Sequence, residues 1–186
     1  MAYIILCPNK CGSTSLYNLL NEVDGYVCKH ERHMNPLPFV RNTRLLRKRL
    51  SKFNGNYGEV GFYYLYYLPE ILVMLPDLKV VVLRRKYTDW LKSFRNHIKN
   101  DSNFFKNGGW KRSYPVYGNN IEYSMWRFYH EYYIRVNSMK KLNDRIKVFN
   151  TESLNSVSGL NKIYDHLEIP KENRVYKFHH DNVTTY

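Results

Sequence analysis

The stretch Tyr3-Ile-Ile-Leu-Cys-Pro-Asn-Lys-Cys-Gly-Ser-Thr-Ser-Leu16 decides the fold. It begins with a short apolar run that ends at Pro8, a pattern typical of a strand that is buried on both faces. From Thr14 to Val23 the apolar residues recur at the spacing of an amphipathic helix. A buried strand that leads through a short polar loop into a helix is the first half of an α/β unit.

Further strands and helices alternate along the rest of the chain. Leu78–Leu83 and Arg145–Phe149 are apolar runs that predict strands, and helical patterns cover 42–53, 88–99 and 121–142. This alternation predicts a three-layer α/β fold, with a central, mainly parallel sheet flanked by helices. A chain of 186 residues is expected to form one domain, residues 1–186. Ligands of such sheets bind at the carboxyl ends of the strands.

The loop after the first strand has the composition of a phosphate site. A helix N-terminus offers unpaired N–H groups and a partial positive charge, Gly12 allows close approach of the backbone, and Lys10 adds a cation. Hydroxyl groups come from Ser13, Thr14 and Ser15. Lysine precedes the only glycine, unlike the Walker loop, which argues against an ordinary ATPase or kinase. A Ser/Thr-rich helix cap is the alternative interpretation.

A second anion motif follows the strand that ends at Leu83. Arg85 and Ser93 are eight residues apart, at the start of the helix predicted over 88–99. A guanidinium and a hydroxyl can bind one phosphate together, since arginine binds phosphate in bidentate fashion. The alternative is a basic helix start on a basic protein.

The two motifs together resemble the sulfotransferase family. Lys10–Leu16, after a strand and Pro8, is similar to the family's 5′-phosphosulfate loop, P-K-x-G-[ST]-[TS], and the Arg85–Ser93 spacing is similar to its 3′-phosphate motif. Gly58–Leu65 and His179–Tyr186 are weaker similarities. The resemblance implies an α/β fold of the P-loop-containing nucleotide-binding type. It also implies transfer of a sulfonate from 3′-phosphoadenosine 5′-phosphosulfate (PAPS) to a hydroxyl or amine, with adenosine 3′,5′-bisphosphate (PAP) as product and no metal.

The resemblance also implies roles for single residues. Lys10 would bond the oxygen that bridges phosphate and sulfonate. The 5′-phosphate would be held by Gly12, Ser13, Thr14 and Ser15, and the 3′-phosphate by Arg85 and Ser93.

Candidates for the catalytic base lie in the segment Lys29-His-Glu-Arg-His33. Members of the family use either His or Glu for this task. We favour Glu31, then His33. His30 is also a candidate, and Glu59 is the least favoured. If the segment is extended, period-two alternation puts Glu31 and His33 on one face and His30 on the other. A solvated charge run beyond a strand end is the alternative.

The amino-acid composition limits which partners we expect the protein to bind. The 29 Lys and Arg against 16 Asp and Glu give a net charge of +13, which attracts anions. An anionic glycan is therefore a plausible acceptor, and a basic nucleic-acid-binding protein or a non-catalytic PAP-binding module are the alternative functions. Nucleic acid is disfavoured because no recognised motif is visible. Three cysteines in one region and no signal segment or membrane span lead us to expect a soluble, cytoplasmic protein.

Overall fold

A five-stranded parallel sheet forms the centre of the protein. The computed structural model describes residues 1–31, 43–100, 110, 114–115, 117–118 and 120–178. The strands are β1 (Tyr3–Leu6), β2 (Val27–His30), β3 (Tyr57–Val60), β4 (Lys79–Arg84) and β5 (Ile146–Asn150). Their order is β2-β3-β1-β4-β5, and every neighbouring pair is parallel.

Helices flank this sheet, so the predicted three-layer α/β class is confirmed. They are α1 (Ser13–Glu22), α2 (Thr43–Leu50), α3 (Leu68–Met74), α4 (Tyr87–Asn100), α5 (Ile121–Leu142) and α6 (Val157–His166). The described residues also include 3-10 segments at Phe62–Tyr67, Thr151–Asn155 and Lys171–Asn173. None of the helices in the described part of the chain is both long and apolar enough to cross a membrane.

The core is built around β1, which lies between β3 and β4. All four of its residues are fully buried, as expected for a strand with neighbours on both sides and helices on both faces. The ring of Tyr3 lies over Gly58, where an added Cβ would come within 2.1 Å of the ring. The Tyr3 hydroxyl donates to the backbone oxygen of Val27 at 3.1 Å. One side chain thus connects β1 with β3 and β2.

The carboxyl ends of the five strands share one edge, and the backbone ladder continues slightly beyond them. The N–H of Gly61 donates to the oxygen of Ile5, and the N–H of Glu31 donates to the oxygen of Val60, both at 3.0 Å. This edge brings together segments that are far apart in sequence: the loop after β1, Glu31 after β2 and Arg85 after β4.

The element bounds differ from the predicted ones by a few residues. The segment that resembles the family at Gly58–Leu65 is a strand only as far as Val60 and then a 3-10 helix. His33, the segment His179–Tyr186 and most of residues 101–119 lie outside the described residues.

Candidate functional site

The loop after β1 turns sharply into α1. Lys10 and Gly12 both have left-handed backbone, with φ of 68° and 87°. At Gly12 the backbone conformation favours glycine, and a Cβ at this position would lie 2.8 Å from Cδ1 of Leu154, so a larger residue would also have to displace that side chain. Helix α1 begins at Ser13, and no side chain caps it. Its first N–H groups are therefore available to an anion.

Three side chains from other parts of the chain hold this loop by its backbone oxygens. Trp90 Nε1 donates to the oxygen of Asn9 at 2.8 Å, Arg85 Nη1 to that of Lys10 at 3.0 Å, and Thr151 Oγ1 to that of Cys11 at 3.0 Å. Three successive carbonyl oxygens are thus engaged by donors, which fixes the backbone and reduces their repulsion of a bound anion. A backbone held in this way is suited to binding an anion.

Helix α5 fixes the end of β4 beside the loop. The Tyr133 hydroxyl donates to the oxygen of Leu83 at 2.8 Å and lies 3.7 Å from Sγ of Cys11. One turn earlier, the Tyr129 hydroxyl donates to the backbone oxygen of Arg85. Both tyrosines are buried. The end of β4 and the following Arg85 are therefore held by the same helix that contacts the loop after β1.

Glu31 and Lys10 form the second part of the site. Glu31 has left-handed backbone, with φ of 39°, and left-handed non-glycine residues are uncommon outside functional sites and turns. Burial raises the pKa of Glu31 to about 7, against a smaller opposing effect of the Lys10 ammonium. Burial lowers the pKa of Lys10, and the Glu31 carboxylate partly opposes this shift. A cation and a carboxyl group whose pKa lies near 7 therefore share one edge of the sheet.

His30 also belongs to this edge. Its Nε2 lies 3.1 Å from Oγ of Ser13, and its ring makes an edge contact with that of Tyr17. The predicted alternation does not continue through the segment, because β2 ends at His30 and the backbone turns at Glu31. His30 contacts helix α1, whereas Glu31 lies beyond the end of the strand, where the Lys10 ammonium acts on its carboxyl group.

Glu59, the least favoured candidate for the base, lies in a buried network of hydrogen bonds. Its carboxylate accepts hydrogen bonds from Tyr57 at 2.7 Å and from Tyr64, and Nε of Arg49 lies 3.7 Å away. Glu59 is 4% exposed. Each oxygen has a fixed partner, so the geometry favours a structural role that connects β3 with α2 and the 3-10 segment.

The two residues of the second motif lie on adjoining elements. Arg85 is the first residue after β4, and Ser93 lies in the second turn of α4, where it is partly buried. The contact of Arg85 with Lys10 brings the first and second motifs together. Binding of a 3′-phosphate by Arg85 and Ser93 stays a prediction.

Sequence reasoning missed two of the three residues whose side chains hold the loop, Thr151 and Trp90. Thr151 directly follows β5, so the rule that ligand sites gather at carboxyl ends of parallel strands could have found it. Trp90, Tyr129 and Tyr133 have ordinary helical core spacing, and no sequence signal separates them from packing residues. No cluster of side chains able to hold a metal ion occurs among the residues that the structure describes.

Comparison with known proteins gives two matches. A family model described as "Sulfotransferase domain" matches residues 4–183. Among solved structures, the fold is similar to the crystal structure of a sulfotransferase from Alicyclobacillus acidocaldarius, with a TM-score of 0.59 and 15% sequence identity over 91% of this chain and 81% of that chain. At this identity the structural likeness shows the fold alone. No curated protein sequence matches the chain significantly.

Proposed function

The chain belongs to the sulfotransferase family, and from this premise we propose that it transfers the sulfonate group of PAPS to a hydroxyl or amine of an acceptor and releases PAP. One observation carries the choice of donor: the phosphate loop after β1 and the arginine after β4 are in direct contact, through the hydrogen bond from Arg85 to Lys10. A donor with phosphates at both its 5′ and 3′ positions suits two adjacent anion motifs.

The residues present fit this donor. The uncapped N-terminus of α1 and the left-handed turn at Gly12 suit a 5′-phosphate. Ser13, Thr14 and Ser15 lie in the first turn of the same helix, where their hydroxyls can add hydrogen bonds. Arg85 and Ser93 would hold the 3′-phosphate, with the guanidinium supplying most of the charge.

PAPS supplies a sulfonate whose bond to the bridging phosphate oxygen breaks as the acceptor oxygen or nitrogen bonds to sulfur, with the electron pair leaving on the phosphate. Lys10 would stabilise the negative charge that develops on that bridging oxygen. Burial lowers the pKa of this lysine, which indicates a partly desolvated ammonium whose electrostatic effect is stronger than it would be in water.

The proton of the acceptor needs a base, and we propose Glu31 for this role. A general base works best when its pKa lies near the working pH, and burial places the pKa of Glu31 at about 7. Glu31 would take the proton from the acceptor while Lys10 balances the charge on the other side of the transferred group. We propose an anionic glycan as acceptor because the chain carries a net charge of +13.

Thermal shift with three nucleotides tests this proposal. PAP at a hundred times its dissociation constant is expected to stabilise the protein by about 2.7 kcal/mol, whereas AMP and ATP at the same concentration should stabilise it less. Equal shifts with PAP and AMP would show that no 3′-phosphate site exists. Strong, salt-sensitive binding of random oligonucleotides with no PAP effect would favour a nucleic-acid-binding protein instead.

A further inference from the structure

Aromatic rings lie in a row on the surface of α5. Tyr123 and Trp126 are each 46% exposed, and they are about one helical turn apart, so they share a face of the helix. Their ring centroids are 6.1 Å apart, and the planes of the two rings differ by only 22°. The ring of His130, one turn further along the helix, lies 4.8 Å from that of Trp126.

This row continues onto the residues that follow β4. The Tyr87 ring, at the start of α4, lies 5.3 Å from the His130 ring and 5.1 Å from the Tyr129 ring. The Tyr129 hydroxyl donates to the backbone oxygen of Arg85, whose guanidinium donates to that of Lys10. Direct contacts therefore connect the row with the candidate site. The aromatic row consists of four rings that contact one another in succession, those of Tyr123, Trp126, His130 and Tyr87.

Exposed aromatic side chains that contact each other require an explanation. Single exposed apolar residues are ordinary, whereas contiguous apolar patches on a protein surface mark interaction sites. The other two tryptophans of the chain are buried, since Trp90 is 0% and Trp110 is 3% exposed. Tryptophan and tyrosine are also among the side chains that contribute most to binding surfaces. The aromatic row is therefore a candidate surface for binding another molecule.

The cations beside the two exposed rings are already neutralised by carboxylates. The ion pairs there are Arg95–Glu122 and Arg127–Glu131, and Glu122 and Arg127 directly adjoin the exposed rings in the sequence of α5. Single-stranded nucleic acid binds where stacked rings are combined with free cations that follow the phosphate backbone. A surface with paired charges instead suits a ligand that is uncharged where it meets the rings.

A sugar ring meets this requirement. The C–H groups on one face of the ring carry a small positive charge and pack on the negative face of an aromatic ring, while the hydroxyls at its rim remain in water. A second copy of the chain is disfavoured, because each copy carries a net charge of +13 and the two would repel each other. The charges on and around the row therefore favour a glycan.

Free cations are available at the Tyr87 end of the row. Arg84 and Lys86 are exposed, and neither forms a salt bridge within the described part of the chain. The Arg84 guanidinium lies 5.1 Å from the centroid of the Tyr133 ring, in a cation–π contact. A guanidinium and an ammonium so close in sequence can bind one carboxylate or sulfate. A glycan that lies along the row would place an acidic group here.

We propose that the aromatic row binds sugar rings of an acidic oligosaccharide acceptor, with a carboxylate or sulfate of the same glycan on Arg84 and Lys86. This inference rests on the proposed function, because it takes the bound sugar to be part of the acceptor. The row holds sugar units other than the one that reacts. It therefore contributes to KM for the acceptor and not to the binding of the donor.

Acrylamide quenching tests this proposal, because Trp126 is exposed whereas Trp90 and Trp110 are buried. In the free protein one component of the tryptophan fluorescence should be quenched, and Trp126→Phe should remove that component. A hyaluronan tetrasaccharide, which carries carboxylates, should protect this component in the wild type without PAPS. The uncharged chitotetraose should need about threefold higher concentration, because it has no anion for Arg84 and Lys86.

Substitutions in the row provide the second readout. Tyr123→Ala and Trp126→Ala should each weaken binding of the hyaluronan tetrasaccharide about threefold to tenfold in titration calorimetry, the effect of losing one ring contact. Tyr176→Ala is the matched control, because Tyr176 is also an exposed aromatic residue, at 40%, but lies outside the row. It should bind the tetrasaccharide like the wild type. All three variants should retain their affinity for PAP, and only the first two should raise KM for the tetrasaccharide in sulfonate transfer.

Each contrary result has a separate meaning. The absence of a quenchable component in the free protein, no protection by hyaluronan, or equal weakening in Tyr176→Ala would each refute the glycan site. Protection that increases with protein concentration alone would assign the row to a second copy of the chain. Stronger protection by an oligothymidylate octamer than by hyaluronan would assign it to single-stranded nucleic acid. A protein that binds hyaluronan on the row but is not stabilised by PAP would instead refute the proposed donor, and with it the role of the sugar as acceptor.

Discussion

Arg85 donates a hydrogen bond from Nη1 to the backbone oxygen of Lys10 at 3.0 Å, so the residue after β4 supports the loop after β1. The two residues are 75 positions apart in sequence. An arginine whose only role was to bind a 3′-phosphate would not need to contact the loop after β1. This contact couples the two motifs, and it changes what the loss of Arg85 should do.

Ser93→Ala and Arg85→Ala should therefore differ. Ser93→Ala removes one hydroxyl and is expected to weaken PAP by about 1 kcal/mol without affecting AMP. Arg85→Ala should weaken PAP by about 1.5–3 kcal/mol, the range for hydrogen bonds to charged groups, and should also weaken AMP by a smaller amount because the loop loses an anchor. Titration calorimetry with both nucleotides measures this difference. Equal losses for PAP and AMP in both variants would remove the second motif from 3′-phosphate recognition.

Gly12→Ala should destabilise the protein and impair the loop. The added methyl group would lie 2.8 Å from Leu154 and 3.2 Å from Thr151, at a residue whose φ is 87°. The backbone strain costs about 1 kcal/mol, and the overlap with Leu154 adds to it. We expect urea denaturation to show a loss of about 2–3 kcal/mol, with weaker PAP binding.

Gly25→Ala is the matched control for this substitution. Gly25 also has positive φ, 74°, but no atom lies within 4 Å of the position of an added Cβ. It should lose only the conformational part, about 1 kcal/mol, and keep its affinity for PAP. Similar losses in the two variants would show that the space around Gly12 is less restrictive than the structure indicates.

The sequence predicted the fold better than the details of the site. Apolar runs and helical periodicity located β1, β4, β5 and α5 to within about one residue, because these elements are buried and regular. The turn at Glu31 could not be predicted, because its left-handed backbone follows from tertiary contacts and not from local pattern. For the same reason, period-two alternation, which required an extended segment, does not apply beyond His30.

Two of the residues that hold the loop after β1 could likewise not be identified from the sequence. Trp90 and Thr151 act through side-chain bonds to backbone oxygens of residues 81 and 140 positions away. Such bonds depend on which strand ends are neighbours, and the strand order is not encoded in any single segment. The chemistry-bearing residues of a loop can be recognised from its sequence, whereas the groups that hold the loop can be identified only from the fold.

Lys10→Ala should separate catalysis from binding. The Lys10 ammonium can follow charge that appears only as the sulfonate leaves, so its loss should lower kcat much more than it weakens PAPS binding. Kinetics at saturating PAPS, together with PAP titration, measures the two effects. Lys10→Arg is a useful comparison, because it keeps the charge but not the compact geometry. A fall in affinity with unchanged kcat would make Lys10 an anchor and not a catalytic residue.

Glu31→Gln should change how stability depends on pH. In the folded protein the Glu31 pKa is raised by burial to about 7, whereas the unfolded chain titrates near 4.5. Between these pH values only the unfolded state has lost the proton, so wild-type stability should fall as pH rises from about 4.5 to 7. The variant lacks this loss, and it should gain roughly 2–3 kcal/mol relative to wild type between pH 4 and pH 8. Urea denaturation at both pH values checks this, and a constant difference would contradict the raised pKa.

The same substitution should remove the pH dependence of catalysis. If Glu31 is the base, wild-type kcat should rise with pH through about 7 as its carboxyl ionises. Glu31→Gln should retain its affinity for PAP, because Glu31 would act on the acceptor, while kcat falls by about 10²–10⁴-fold, the range for lost general-base catalysis.

Two neighbouring substitutions serve as comparisons: His30→Ala, which removes the contact with Ser13, and His33→Ala. A collapse of turnover in either of them, with near-normal turnover and an unchanged pH profile in Glu31→Gln, would assign the base to that histidine. Normal turnover in all three would exclude the segment from the mechanism.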